Sequence, residues 1–326
     1  MSSHDVPAVE ARELMFGVPG AVLCGPVDLQ VAQGKTLGIV GETGSGKSLL
    51  CRTLAGMLDA VGGAITGGSL AYRGQEVSSA DRREWSRLRR HVIGYMPQAS
   101  MSGLNPVRTV GSQLVEAVGV LKSVNRADAA QQASVLLDQV SLRDTRRVMA
   151  SYPHELSGGM RQRVMLAMAI AGDPAVLIAD EPTTALDASV QNEVLDLLSA
   201  VQQDRRMAMV IVSHDVRVMR RVCDDVAVMY GGRVVESGPV SQVTSQAAHH
   251  YTLALQQADP AFATRRRPLG AIPGLPRSPL DWHDGGCIFR DRCPAVADGC
   301  SSQVPPLLEV RPSQRAACFY PRQDAT

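Results

Sequence analysis

The run Gly41-Glu42-Thr43-Gly44-Ser45-Gly46-Lys47-Ser48 constrains this chain more than any other stretch. It fits the pattern G-x-x-x-x-G-K-[ST] at every position. The apolar residues Thr36 to Val40 before it read as a buried strand, and Leu49 to Gly56 after it read as a helix ended by glycine. Strand, glycine-rich turn and helix are the context in which such a loop holds phosphate. Glycines let several N–H groups turn inward, and the helix adds its positive end. The phosphate contacts are therefore assigned to Gly41, Glu42, Thr43, Gly44, Ser45, Gly46, Lys47, Ser48 and Leu49, the first residue of the expected helix. Lys47 is expected to reach the β- and γ-phosphates, and the Ser48 hydroxyl to hold Mg²⁺.

Four later features belong with this loop. The strand-like run His91 to Met96 leads through Pro97 to Gln98, a polar residue placed to point into a nucleotide site. Ser157-Gly158-Gly159 caps a helix expected over Met160 to Ala171 and could present a second anion-binding helix start. Ala175 to Ala179 is unbroken apolar sequence, as in strands covered on both faces, and it ends on Asp180-Glu181. Asp180 is expected to act through the Mg²⁺ shell, and Glu181 to orient and polarise an attacking water. Ala208 to Val212 repeats the pattern and ends near His214, a candidate γ-phosphate sensor. Each has a plainer reading as a helix cap or a structural histidine. The phosphate loop upstream favours the functional one.

The rest of the core reads as α/β. Leu14-Met15-Phe16, Val27 to Val31 and Ser69 to Tyr72 suggest a small antiparallel sheet. Phe16 could stack on a nucleotide base or pack into that sheet. From 99 to about 165 the pattern turns helical, with helices expected over Val110 to Val120 and Ala127 to Val140, as in a subdomain inserted into the core. A helix is expected over Val190 to Gln203, then a hairpin about Gly231-Gly232. The N-terminus lacks a signal layout, no apolar run is long enough to span a bilayer, and a net charge of +1 gives no reason to propose nucleic acid as a partner. A cytoplasmic location is expected.

The chain has seven cysteines, four of them in the last stretch: Cys287, Cys293, Cys300 and Cys318. The segment from 259 is rich in Pro, Gly and Arg, which suits a linker folded against a surface, and Arg265-Arg266-Arg267-Pro268 is its most basic run. No C-x-x-C pair is present, so zinc-ribbon spacing is not met. An iron–sulfur centre, zinc and plain buried thiols all remain open. A bound centre would staple a segment with too little apolar content to pack alone.

The order of these motifs resembles the ATP-binding cassette of ABC transporters over residues 11 to 258. Leu156-Ser157-Gly158-Gly159-Met160 is its most diagnostic part, with Met160 where glutamine is usual and Phe16 where tyrosine is usual. The phrases Pro153 to Arg163 and Ala179 to Asp187, with Ile272-Pro273-Gly274 and Gly286 to Pro294 in the tail, resemble the dipeptide/oligopeptide importer group and its nickel-importing relatives. The resemblance implies a phosphate-loop ATPase core with an antiparallel β subdomain and helical insert over 1–258. It implies a four-cysteine extension over 259–326 with a [4Fe-4S] cluster on Cys287, Cys293, Cys300 and Cys318. It implies ATP and Mg²⁺ as ligands, with Ser48 and Gln98 on the metal and Glu181, His214 and Gln98 in catalysis. It also implies a second ATPase subunit packed head to tail, two transmembrane permeases, an extracytoplasmic solute-binding protein and a place on the cytoplasmic face of the inner membrane. A soluble cassette ATPase acting on nucleic acid or ribosomes is the alternative, and such proteins usually carry paired cassettes or long arms. A cluster-bearing regulator that only binds nucleotide is a third reading, opposed by Glu181.

Overall fold

The computed structural model describes residues 6–98, 103–184, 186–259, 270–277 and 285–322. The start of the helical insert at 99 and the basic run at 265–268 lie outside them. The strands are β1 (Val9–Val18), β2 (Ala21–Val31), β3 (Thr36–Val40), β4 (Ala64–Tyr72), β5 (Gln75–Glu76), β6 (Ile93–Met96), β7 (Val176–Asp180), β8 (Ala208–Ser213), β9 (Asp225–Tyr230), β10 (Arg233–Pro239), β11 (Leu308–Arg311) and β12 (Gln314–Ala316). The α-helices are α1 (Lys47–Leu54), α2 (Arg82–His91), α3 (Val110–Lys122), α4 (Arg126–Gln139), α5 (Thr145–Ala150), α6 (Gly158–Ala169), α7 (Ala188–Arg205), α8 (Val216–Val222), α9 (Val240–Ser245) and α10 (His250–Gln257). No helix of the described residues is long and apolar enough to cross a membrane.

The chain divides into two compact units. The first holds the N-terminal residues up to Ala8, Ala32–Lys35 and Ala80–Ile211. In it β6 and β7 run parallel, with Ile93 beside Val176 and Met96 beside Ala179, and β8 follows β7 in strand order. All five residues of β7 are buried. A run that is apolar on both faces needs cover on both sides, as in parallel sheets. Helices α3 to α6 lie in or overlap the stretch that the sequence reads as helical. Their starts are fixed by side chains that accept otherwise orphaned N–H groups: Thr109 from Ser112, Asn125 from Asp128, Asp144 from Arg147 and Ser157 from Met160. Each cap contributes about 1 kcal/mol.

The second unit holds Val9–Val31, Thr36–Ser79 and the chain from Val212 on. Its antiparallel sheet has the order β2-β1-β4-β5. A further strand set has the order β11-β12-β10-β9-β3, with β3 parallel to β9 and the rest antiparallel. The Gly231-Gly232 hairpin forms as expected between β9 and β10, both glycines having positive φ.

One expectation is corrected here, and the anchorage of the tail comes into view. Phe16 is 0% exposed, opposite Cys24 on β2 and Ile65 on β4. Its ring is part of the core and is not presented to a base. The tail also has protein anchors of its own. Phe289 is also 0% exposed and meets Tyr230 and Tyr251, both at ring-centroid distances of 5.3 Å. A buried aromatic of this kind supplies a few kcal/mol from area alone. The tail also adds β12 to the edge of β10, pairing Glu236 with Ala316. The buried Glu236 carboxylate accepts from the N–H groups of Ala248 and His249, both at 2.8 Å, and from Gln314 Nε2 at 2.7 Å. One aromatic residue and a fully bonded carboxylate thus help to hold a segment whose composition offers little apolar surface.

Candidate functional site

The phosphate loop leaves β3 at Val40 and enters α1 at Lys47. Gly44 and Gly46 have φ of 82° and 99°, a region that side chains strain to occupy. A Cβ on Gly46 would meet Cys24 Sγ at 2.5 Å, whereas one on Gly44 would meet open space. Gly46 is demanded by packing and turn together, Gly44 by the turn alone. Ser45 N–H closes the loop on Glu42 O at 3.1 Å, and Gly232 N–H ties it to the β9–β10 hairpin through Ser45 O at 2.9 Å. Lys47 is buried, and its Nζ donates to Gly41 O and Glu42 O, both at 2.8 Å. The Ser45 hydroxyl is buried with no hydrogen-bond partner among the described residues. A loop with a buried cation and an orphaned hydroxyl at a helix start suits a phosphate group. His214 stands exposed just after β8, beside Asp215, whose side chain caps α8.

The acidic residues belong to the first unit. Gln98 follows β6, Asp180 ends β7, and these strands are parallel neighbours, so both residues stand at C-terminal strand ends. That edge is where open α/β sheets bind ligands. The Asp180 side chain is nearly fully buried, and Glu181 is partly exposed. Gln98 Nε2 donates to Glu181 Oε2 at 3.1 Å, and Thr184 Oγ1 donates to the same oxygen at 2.8 Å. Glu181 has φ of 46°, unusual for a residue with a side chain. Such backbone costs about 1–3 kcal/mol and persists where function needs the geometry. The structure thus brings Gln98 and Glu181 together and adds Thr184, which the sequence reading missed. Its signal was the three-residue spacing, which lets a threonine reach back across a turn.

Ser157 caps α6, its Oγ accepting from Met160 N–H at 3.3 Å. Gly159 is buried, and a Cβ there would meet Val190 Cγ1 at 2.5 Å. Close packing of α6 on α7 therefore already requires that glycine. Gly158 is partly exposed and would meet Leu186 at 3.0 Å. Asp187 caps α7 by accepting from Ser189 N–H at 3.1 Å and Val190 N–H at 3.0 Å. The Val190 bond, helped by Ser189, holds its carboxyl below the usual range. A concavity of about 290 Å³ beside Ser157 and Gly159 is lined by Arg143, Arg147 and Arg163 together with Asp144 and Glu193, the last paired to Arg163 at 2.7 Å.

The four tail cysteines are free thiols; Cys287 and Cys300 are buried, Cys293 and Cys318 partly so. Cys287 N–H donates to Cys300 O at 2.7 Å. Burial pushes the Cys318 thiol up to about 11, and the nearby Cys287, Cys293 and Cys300 thiols push the same way. Burial likewise raises Cys287, with Cys300 and Cys293 adding to it. Among the described residues, no three His, Cys, Asp or Glu side chains stand close enough to hold a single metal ion.

A phosphate loop after one core strand, carboxylates closing another, and a serine–glycine helix cap define a phosphate-loop ATPase of the cassette type. The sequence matches the ABC transporter family over residues 24–184 and the oligopeptide/dipeptide transporter C-terminal region over 235–300. It is 40% identical over 318 residues to the oligopeptide transport ATP-binding protein OppD of Escherichia coli, covering 97% of this chain and 93% of that one. It is 38% identical over 299 residues to the dipeptide transport ATP-binding protein DppD of the same organism, covering 92% and 91%. Solved cassettes share the fold. CbiO1 of Clostridium perfringens matches with a TM-score of 0.65 at 24% identity over 74% of this chain and 92% of its own. The cassette MJ0796, solved with ADP and Pi, matches with 0.63 at 24% over 71% and 98%. The chain belongs to the ABC transporter ATP-binding proteins, and it is an ATPase.

Proposed function

We propose that this chain is the ATP-hydrolysing subunit of an importer for peptides or a related small solute. The observation that supports this best is the match of the C-terminal region, added to relatives that align over nine-tenths of the chain or more and are named as peptide transport proteins. The ATP-binding domain spans 1–258 and the extension 259–326. A second ATPase subunit pairs with it, two permeases carry the solute, an extracytoplasmic protein delivers it, and the chain works at the inner face of the membrane. In a cell lacking this chain, uptake of labelled di- and oligopeptides should fall to background and return with the parent sequence. Unchanged uptake of both would overturn the peptide reading.

In hydrolysis, Lys47 and N–H groups of the loop between Gly41 and Leu49 grip the β- and γ-phosphates, apart from those of Glu42 and Ser45, which are engaged by Tyr251 Oη and Glu42 O. Ser48 and Gln98 would supply oxygen ligands to Mg²⁺, with Asp180 acting through its shell, and the ion when bound neutralises phosphate charge. Glu181, held by Gln98 and Thr184, takes the proton as water oxygen bonds to the γ-phosphorus. The bond from phosphorus to the bridging oxygen breaks, and ADP carries away that electron pair. His214 contacts the γ-phosphate. Ser157, Gly158 and Gly159 close over nucleotide held by the paired subunit.

The same reading includes a [4Fe-4S] cluster on Cys287, Cys293, Cys300 and Cys318. The donor set fits: four free thiols in one segment, each close enough to others to influence their ionisation. A four-iron cluster spreads its ligands wider than one tetrahedral ion does, and single-ion spacing is what the described residues lack. Protein purified without oxygen should contain iron and sulfide in equal amounts, and Cys293→Ser should lose both. Zinc in their place, or neither element, would overturn the cluster.

A further inference from the structure

Glu42 of the phosphate loop and Arg292 of the tail are 250 residues apart in sequence and form a two-pronged ion pair. Arg292 Nη1 donates to Glu42 Oε2 at 2.7 Å, and Nη2 donates to Oε1 at 3.0 Å. The Arg292 side chain is 4% exposed and that of Glu42 is 22% exposed. Parallel bonds between guanidinium and carboxylate fix direction as well as distance, and burial removes the screening that weakens surface pairs. The arginine is itself held in place. Its Nε donates to Pro273 O at 2.7 Å, Nη2 to Ile272 O at 3.4 Å, and Nη1 to Tyr230 Oη at 3.2 Å.

Glu42 is fixed from three directions. Arg292 takes its carboxylate, Tyr251 Oη accepts its N–H at 2.8 Å, and its own carbonyl accepts from Lys47 Nζ at 2.8 Å. The residue that orients the phosphate-binding lysine is therefore locked by two residues from the far end of the chain. Tyr251 and Tyr230 also pack, with tilted rings 4.6 Å apart, in the aromatic cluster around Phe289. The tail thus reaches the loop through one continuous, packed set of side chains.

We propose that Arg292 is a positioning residue for nucleotide binding: through Glu42 it sets the phosphate loop and Lys47, so that seating of the C-terminal tail sets the affinity for ATP. The inference rests on the ATPase reading. It is independent of the solute carried and of what the four cysteines hold. Arg292 touches no phosphate. Its effect falls on how well the loop is formed before ATP arrives, and so on KM more than on kcat. A residue that merely anchored the tail would lower the melting temperature and leave the KM for ATP alone.

The test is ATPase kinetics of the purified, assembled transporter. Arg292→Ala should raise the KM for ATP about tenfold, the scale of a charged hydrogen bond lost, with kcat within about twofold. Arg292→Lys keeps the charge but not the fork and should fall between parent and Arg292→Ala. Glu42→Gln should match Arg292→Ala, and the double variant should be no worse than either single one, since both remove one interaction. If Arg292→Ala does not fold, Arg292→Lys and Tyr251→Phe, which removes the hydroxyl on Glu42 N–H, read the same coupling. An ATP KM within twofold of the parent in folded Arg292 variants, or losses that multiply in the double variant, would overturn the proposal.

Discussion

Replacing Glu181 by Gln yields a transporter that binds ATP as tightly as the parent and hydrolyses it about a thousandfold more slowly. The substitution keeps size and shape, so the hydrogen bonds from Gln98 and Thr184 still meet an oxygen acceptor. On the proposed role, what is lost is the negative charge that would take a proton from water. Two donors aimed at one carboxylate oxygen orient the group but cannot replace its basicity. The left-handed backbone at Glu181 fixes where that carboxylate points, and the substitution leaves it unchanged. Single-turnover kinetics beside equilibrium nucleotide binding separate the two effects. ATP should accumulate on the protein, and the paired subunits should remain closed. Turnover within tenfold of the parent would remove Glu181 from the role of base and leave it as a cap for the turn that follows.

Replacing Lys47 by Ala acts earlier, on binding itself, and should weaken ATP affinity about a hundredfold. The ammonium is buried against two loop carbonyls, so the variant loses a phosphate cation and the tie that draws Gly41 and Glu42 together. Both losses act in one direction. Lys47→Arg separates them, since it restores the charge on a longer and flatter head that cannot donate to both carbonyls in the same way. Isothermal titration with ATP in the presence of Mg²⁺ reads both variants. If Lys47→Ala bound ATP within threefold of the parent, the grip would lie in the backbone donors alone.

Much of this site could be read from the sequence because its parts are local. A phosphate loop is one strand, one turn and one helix in a row. The Asp180-Glu181 pair is announced by the apolar strand that it closes, and the Ser157 cap by the glycines that follow. These are interactions over a few residues, and their physics is carried by spacing. The misses have the opposite character. Whether Phe16 faces a ligand or the core depends on which strands flank it, and β2 and β4 cover it on both sides. That Gly159 also serves packing was hidden, because nothing nearby in sequence shows that Val190 presses against it. Thr184 was within reach but not distinguished from its neighbour Thr183. Arg292 was hidden by the 250 residues that separate it from Glu42. In the tail, the four cysteines drew attention while Phe289 carried the packing, and β11 and β12 are too short and polar to show a strand period.

The addition of β12 to β10 has a consequence for how the chain can be handled. Until its last forty residues are made, β10 offers a bare row of main-chain donors and acceptors to whatever sheet passes by. The finished tail supplies its own seal, with β11 as the outer rim. A fusion or truncation that stops short of residue 308 leaves that seam open, and it also strips Gln314 from the Glu236 carboxylate beneath. The C-terminus is thus a closure for the sheet as much as an appendage to it.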